Sequence, residues 1–311
     1  PESHGAGAVG GLWKKHHSEF ARFISQINPD GVFEIGGAHG ILQTEYTKHR
    51  DVPWTIIEPN PSPIEGSKAK FIKGFFDEKF SEKINYDALV HSHVFEHIYN
   101  PVDFMRHLSN YMQEGKYLIF SIPNMQEMLE RNYTNCLNFE HTIFLTEPYI
   151  EYLLAKYGFR LVEKEYFLDD HSIFYLAIRD KKVKSKPLSN SLYEKNKKLY
   201  LDFIKYYENL ILNLNQQIKI LDNPVYLFGA HVFAQNLLEF GLFNEKIISI
   251  LDNDTNKHGK RLYGTRFNVD SPSVLKNIEN PVVILKAGVY TEEIKKDIIE
   301  NINATTIFIP E

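Results

Sequence analysis

A single cysteine, Cys136, occurs among the 311 residues of the chain, so an internal disulfide framework and a cysteine-built zinc site are both excluded. That scarcity fits a reducing cytoplasm. No apolar run approaches the roughly 20 residues that span a bilayer, and no secretory leader is visible, so no membrane partner is expected. A dense basic patch is missing too: 35 Lys and Arg stand against 40 Asp and Glu, a net charge of -5, which argues against nucleic acid as the main partner. The lysines gathered at 181–198 read as a solvated linker. The chain begins at Pro1 rather than at a methionine, which leaves room for a segment upstream. The remaining composition, 43% hydrophobic and 24% charged, is that of an ordinary globular protein with length enough for two cores.

The stretch around which the chain is organised is Val32-Phe33-Glu34-Ile35-Gly36-Gly37-Ala38-His39-Gly40. An apolar run, an acid and three glycines in close succession read as a buried strand turning sharply into a helix, where backbone can pass close to a ligand. A dinucleotide site would need G-x-G-x-x-G; counted from Gly36, the third position is Ala38 and the sixth is Ile41, so that pattern fails. Glu34 would sit poorly beside a diphosphate. It suits a ligand with a cationic end, whose ammonium a carboxylate can hold. Glu58 closes the next strand, Trp54-Thr55-Ile56-Ile57-Glu58, where a doubly wound sheet sets an acid against ribose hydroxyls. Together these point to S-adenosylmethionine, bound by Glu34, Gly36, Gly37, Gly40, Glu58 and Pro59. After a short strand at Phe71-Ile72, Phe76 is placed to cover an adenine face and Asp77 to accept from its amine; the alternative is a core phenylalanine and a helix-capping aspartate.

The remaining pattern is α/β throughout. Helical spacing from Trp13 to Ile27 predicts a first helix carrying His16 and His17, read as packing or surface residues. The glycine-rich start before it, with His4 as a possible substrate contact, is too flexible to nucleate structure alone. Tyr86–Val90 reads as a fourth strand emptying into His91-Ser92-His93-Val94-Phe95-Glu96-His97. The spacing of His91, His93 and His97 does not place them on one face, so no metal is expected there. His93, at the strand's end, is expected to face the cofactor. A fifth strand ends at Asn124, a candidate substrate contact, and a long connection at 125–145 holds Asn138-Phe139-Glu140-His141. A helix at 147–157 and a strand pair at 160–167 and 172–178 complete a methyltransferase-type domain over 1–182. A linker helix over 183–222 then leads to a smaller, substrate-side α/β domain at 223–311, whose Gly229-Ala230 loop lacks a strong phosphate signature.

With these residues laid out, the chain resembles the sugar C-methyltransferases, within the class I S-adenosylmethionine-dependent methyltransferases. The likeness rests on Glu34-Ile35-Gly36 with Gly40-Ile41-Leu42, Ile57-Glu58-Pro59, Val94-Phe95 with His97-Ile98, Glu140-His141, and, in the second unit, Gly229-Ala230, Gly259-Lys260 and Gly264-Thr265. It implies a Rossmann-like domain followed by a second, smaller one, with S-adenosylmethionine as cofactor and a nucleotide-linked sugar as acceptor. His141 matches the residue implicated as base and Glu140 its partner, with Asn138 lining the substrate. The resembled family usually starts with a cysteine-rich zinc domain that this sequence does not contain, and it carries tyrosines where this chain has Asn138 and Phe144. Methylation at O or N of another small polar metabolite, and a non-catalytic binding module of the same fold, are the rival readings.

Overall fold

The structure, a computed structural model, describes residues 11–133, 137 and 141–310, apart from the side chain of Val289; His4, Asn138 and Glu140 lie outside the described residues. The chain divides into two compact units, the first made of the described residues of Pro1–Glu127 and Phe139–Asn190, the second of those of Met128–Asn138 and Ser191–Glu311.

The elements of the first stretch are α1 (Gly11–Ser25), β1 (Val32–Ile35), α2 (Ile41–Tyr46), β2 (Trp54–Glu58), β3 (Lys70–Lys73), β4 (Ala88–Ser92), α3 (Pro101–Tyr111), β5 (Tyr117–Pro123), α4 (Met125–Glu130), α5 (Glu147–Lys156), β6 (Phe159–Phe167), α6 (Leu168–His171) and β7 (Ser172–Arg179). Their seven-stranded sheet runs in the order β3-β2-β1-β4-β5-β7-β6. Only β7 opposes the rest: it pairs antiparallel with both β5 and β6. The strand order reverses between β1 and β4, and the crevice outside their carboxyl ends is where such sheets bind ligands.

Strands covered on both faces must be apolar throughout, and the alternation of side chains sorts them into two layers. Phe33, Ile35, Leu89, Leu118, Phe120 and Ile122 join one core beneath α3 and α5. Val32, Val90 and Ile119 join Phe20, Phe23 and Ile24 of α1 and Phe174 of β7 in the other. The same alternation sends Glu34 and Ser121 to the α1 face and His91 to the opposite one. There His91 stacks on Phe120 at 4.9 Å between ring centroids, and burial drives its pKa down to about 3.

The second unit begins with α7 (Ser191–Ile220), whose thirty residues bury a stripe of Phe203, Tyr207, Ile211, Leu214 and Ile218 at helical spacing. It continues through β8 (Val225–Phe228), α8 (Val232–Glu239), β9 (Ile247–Leu251), β10 (Val269–Asp270), β11 (Val282–Ile284), α9 (Thr291–Asp297) and β12 (Ile307–Ile309). Its parallel sheet has the order β10-β9-β8-β11-β12. At the end of β8 the Ala230 N–H donates to Asp252 Oδ2 at 2.8 Å, an oxygen that also lies 3.0 Å from Lys257 Nζ. The loop amide that would meet a phosphate is thus already held by a carboxylate of the chain.

Phe174 is fully buried and meets the rings of Phe20, His16, Phe23 and Phe167 at 4.9, 5.2, 5.6 and 5.9 Å. Phe174→Ala is expected to destabilise the first unit by about 3–5 kcal/mol, read from its denaturant midpoint; a loss under about 1 kcal/mol would show that the α1 face is not a packed core.

Candidate active site

The loop after β1 is built by close backbone packing. Gly36 holds φ 79°, and a Cβ there would stand 2.6 Å from Val94 Cγ2. At Gly37 a Cβ would stand 2.4 Å from the Glu34 carboxyl carbon. A side chain at Gly36 would have to hold a positive φ and displace Val94, and one at Gly37 would displace the Glu34 carboxyl, which is the physical reason for two glycines there. Gly40 closes the loop, its N–H donating to the Gly37 carbonyl at 2.9 Å, and opens α2.

Glu34 lies under this loop, 3% exposed, with Oε2 accepting from Trp54 Nε1 at 2.7 Å. Burial raises its pKa to about 7; the Trp54 bond works against that rise and the nearby Glu58 charge adds to it. A carboxylate so short of compensating charge is a receptor for a cation, and the cationic methionine end of S-adenosylmethionine supplies one. Glu58 stands at the end of β2, its Oε1 accepting from the Asn60 N–H at 2.9 Å, with Pro59 between. The two acids and the glycine loop therefore fit the cofactor read from the sequence.

Other positions read as cofactor or substrate contacts have partners within the chain. The Phe76 ring packs inward, with neighbours His107, Tyr111, Phe80, Phe33 and Phe104 at 4.5–6.3 Å, whereas Phe75 is 69% exposed. Asp77 Oδ1 accepts from the Lys79 N–H at 2.9 Å, a local turn cap. Asn124 is buried; its N–H donates to the His171 carbonyl at 3.0 Å and its Nδ2 to that of Asp169 at 2.8 Å, so it clamps α6. Phe76 and Asp77 thus have the packing and capping partners of the alternative reading, and Asn124 holds α6.

His93 leaves β4 in a left-handed conformation, φ 52°, which a non-glycine residue holds only where its surroundings impose it. Its backbone N–H donates to the Ser121 carbonyl at 3.0 Å. Its ring is engaged at both nitrogens: Nδ1 with Glu96 Oε1 at 2.9 Å, and Nε2 with Ser172 Oγ at 2.9 Å. Burial works against the charge of Glu96, but the facing His93, the hydrogen bond from it, and His97 hold its pKa below the ordinary value. On the other side of Glu96 lie His97 and His141, whose rings are 5.2 Å apart; one nitrogen of each and a Glu96 oxygen lie within 4.8 Å of one another. Sequence reading missed Glu96 as the residue joining these histidines, because a buried acid in a one-turn helix carries no periodic signal.

The Glu34 carboxyl gives a pH-dependent stability. Its folded pKa is above its unfolded value, so its contribution is intact below about pH 4.5 and is lost as pH rises through about 7. Glu34→Gln keeps the acceptor for Trp54 and removes that loss. We expect the cofactor-free variant to exceed the parent by about 2–3 kcal/mol at pH 8, converging below pH 5, in paired denaturant titrations; parallel curves would contradict the assignment.

The profile of the family described as "Methyltransferase domain" matches residues 12–164. No curated protein matches the sequence. Among solved structures, the N-methyltransferase NodS from Bradyrhizobium japonicum WM9 in complex with S-adenosyl-L-homocysteine aligns at TM-score 0.44 and 15% identity, over 55% of this chain and 89% of that one. Magnesium protoporphyrin IX methyltransferase (ChlM) from Synechocystis PCC 6803 aligns at 0.43 and 12%, over 57% and 90%. The 1,6-didemethyltoxoflavin-N1-methyltransferase of Burkholderia thailandensis aligns at 0.43 and 12%, over 55% and 81%. Among the described residues, no helix is long and apolar enough to cross a membrane. Residues 12–164 are a methyltransferase domain, and the protein is an S-adenosylmethionine-dependent methyltransferase.

Proposed function

We propose that this enzyme methylates a sugar carried on a nucleotide, with His141 as the general base. The observation that carries the role of His141 is its seating. The N–H groups of Thr142 and Ile143 donate to the Glu96 carbonyl at 2.8 and 3.3 Å, which ties the segment behind β4 to the carboxyl end of that strand. His141 thereby lies beside His97, just past the end of β4, which supports its role as base. The acceptor class is supported by the order of the sequence motifs shared with the sugar C-methyltransferases.

S-adenosylmethionine supplies the electrophilic methyl group. The chain's own residues do the rest: Glu34 and Glu58 fix the cofactor's polar ends, and His141 removes a proton from the acceptor atom as transfer proceeds. An imidazole suits that step because its ordinary pKa lies near working pH. Glu96, buried and ionised between the histidines, stabilises the imidazolium that results.

A second reading is O- or N-methylation of another small polar metabolite in surface-polysaccharide or antibiotic assembly. It draws on Asn138 and Phe144 standing where the resembled family has tyrosines.

Incubation with methyl-labelled cofactor and a panel of nucleotide-linked keto and hydroxy sugars, read by mass spectrometry, is expected to give a methylated nucleotide sugar. His141→Ala is expected to lower kcat by roughly 10²–10⁴-fold with cofactor affinity unchanged. Deuterium wash-in beside a keto group marks carbon as the acceptor. Turnover on other small metabolites alone, or a His141→Ala variant with full activity, would overturn the reading.

A further inference from the structure

A second group of histidines lies on the α1 face of the first unit, outside the residues given a catalytic role. His16 comes from α1, His93 from the end of β4 and His171 from α6, and one ring nitrogen of each lies within 4.8 Å of the other two. The sequence separates them by 77 and 78 positions, so no spacing motif announces them.

Hydrogen bonding fixes which nitrogens are available. A carboxylate only accepts, so His93 Nδ1 carries the proton donated to Glu96, and Nε2 holds the lone pair. Ser172 Oγ lies 2.9 Å from that Nε2 and 2.6 Å from His171 Nδ1, which lets Nδ1 of His171 donate and leaves its Nε2 with a lone pair. His16 Nε2 meets Ser121 Oγ at 2.9 Å. His16 Nδ1 is buried in a residue of 0% exposure and has no hydrogen-bond partner among the described residues. An unmet buried nitrogen on a ring packed against two other imidazoles calls for an explanation.

The spacing agrees. Tetrahedral ligation at about 2.1 Å sets imidazole centroids about 5 Å apart; here they are 5.2 Å for His16 and His93, 5.5 Å for His16 and His171, and 6.0 Å for His93 and His171. Trp13 stands edge-on to His93, His171 and His16 at 4.9, 5.2 and 5.3 Å, shielding one side.

We propose that His16, His93 and His171 form a binding site for one divalent transition-metal ion of the zinc type, with a fourth position open to an oxygen ligand. Imidazole donors select zinc and its neighbours over magnesium or calcium. Glu96, accepting from His93 Nδ1, is the carboxylate that orients a metal-bound histidine in such sites. On binding, the contact of Ser172 with His93 Nε2 gives way to a coordinate bond. Asn124, by clamping α6, positions His171. The site stands whatever the acceptor of methyl transfer proves to be.

The test uses the full chain without a histidine tag, stripped with chelator and titrated with Co²⁺. We expect one equivalent to produce the visible bands of four-coordinate cobalt, and one Zn²⁺ to displace it. The double variant His16→Asn/His171→Asn is expected to lose more than about 100-fold in affinity, and Glu96→Gln about 10–100-fold. His49→Asn, in the exposed turn after α2, is the control. Thermal unfolding shows which variants remain folded, and X-ray absorption on the zinc-loaded parent, expected to report three imidazoles, decides the matter without any variant. No cobalt bands, binding unchanged in a folded double variant, or a cobalt site lost only in His141→Ala would each overturn the proposal.

Discussion

A carboxylate buried beneath a glycine turn is the constraint on which the cofactor half of this enzyme depends. β1 is buried along all four residues, yet one of them is Glu34. The alternation of the strand sends it to the α1 face, and the approach of Gly37 leaves no room for another side chain above it. Trp54 supplies one hydrogen bond, which falls short of compensating full burial of the charge, and the group is left with a pKa near neutrality. The folded chain therefore carries a site whose electrostatics improve when a cation arrives. Stability given up at this point is what binding of a positively charged cofactor would recover.

Glu96 is a second buried acid, and its surroundings work in the opposite direction. It lies close to His93, His97 and His141, and His93 and His97 hold it ionised despite burial. One carboxylate thus links two groups of histidines at the carboxyl end of β4. In the function proposed above one group takes the proton, and the other gathers three imidazoles. Both depend on β4 ending where it does and on the left-handed turn at His93.

Much of the fold was legible because parallel strands covered on both faces must be continuously apolar. Val32–Ile35, Trp54–Glu58, Val225–Phe228 and Ile247–Leu251 stand where the hydrophobic runs predict. The glycine loop was legible for a related reason, since close approach of backbone leaves a glycine signature. Weak local signals hid other parts. The two-residue β10 is held by pairing with β9, and α4 occupies part of a stretch read as an extended connection. Helical spacing reads His16 as a packing or surface residue; it is buried, and only the fold shows that it packs against other histidines. Phe75 and Phe76 differ by one position, yet Phe75 is exposed and Phe76 is partly buried against the core.

The claim that Glu34 awaits a cation is open to one direct measurement: calorimetric titration of the folded chain with S-adenosyl-L-homocysteine at pH 7, repeated in two buffers of different ionisation enthalpy. The account predicts one site per chain and a buffer-dependent heat that reports net proton release, because the ligand's ammonium lowers the Glu34 pKa as it binds. Binding with no proton released, or no binding by correctly folded protein, would contradict it.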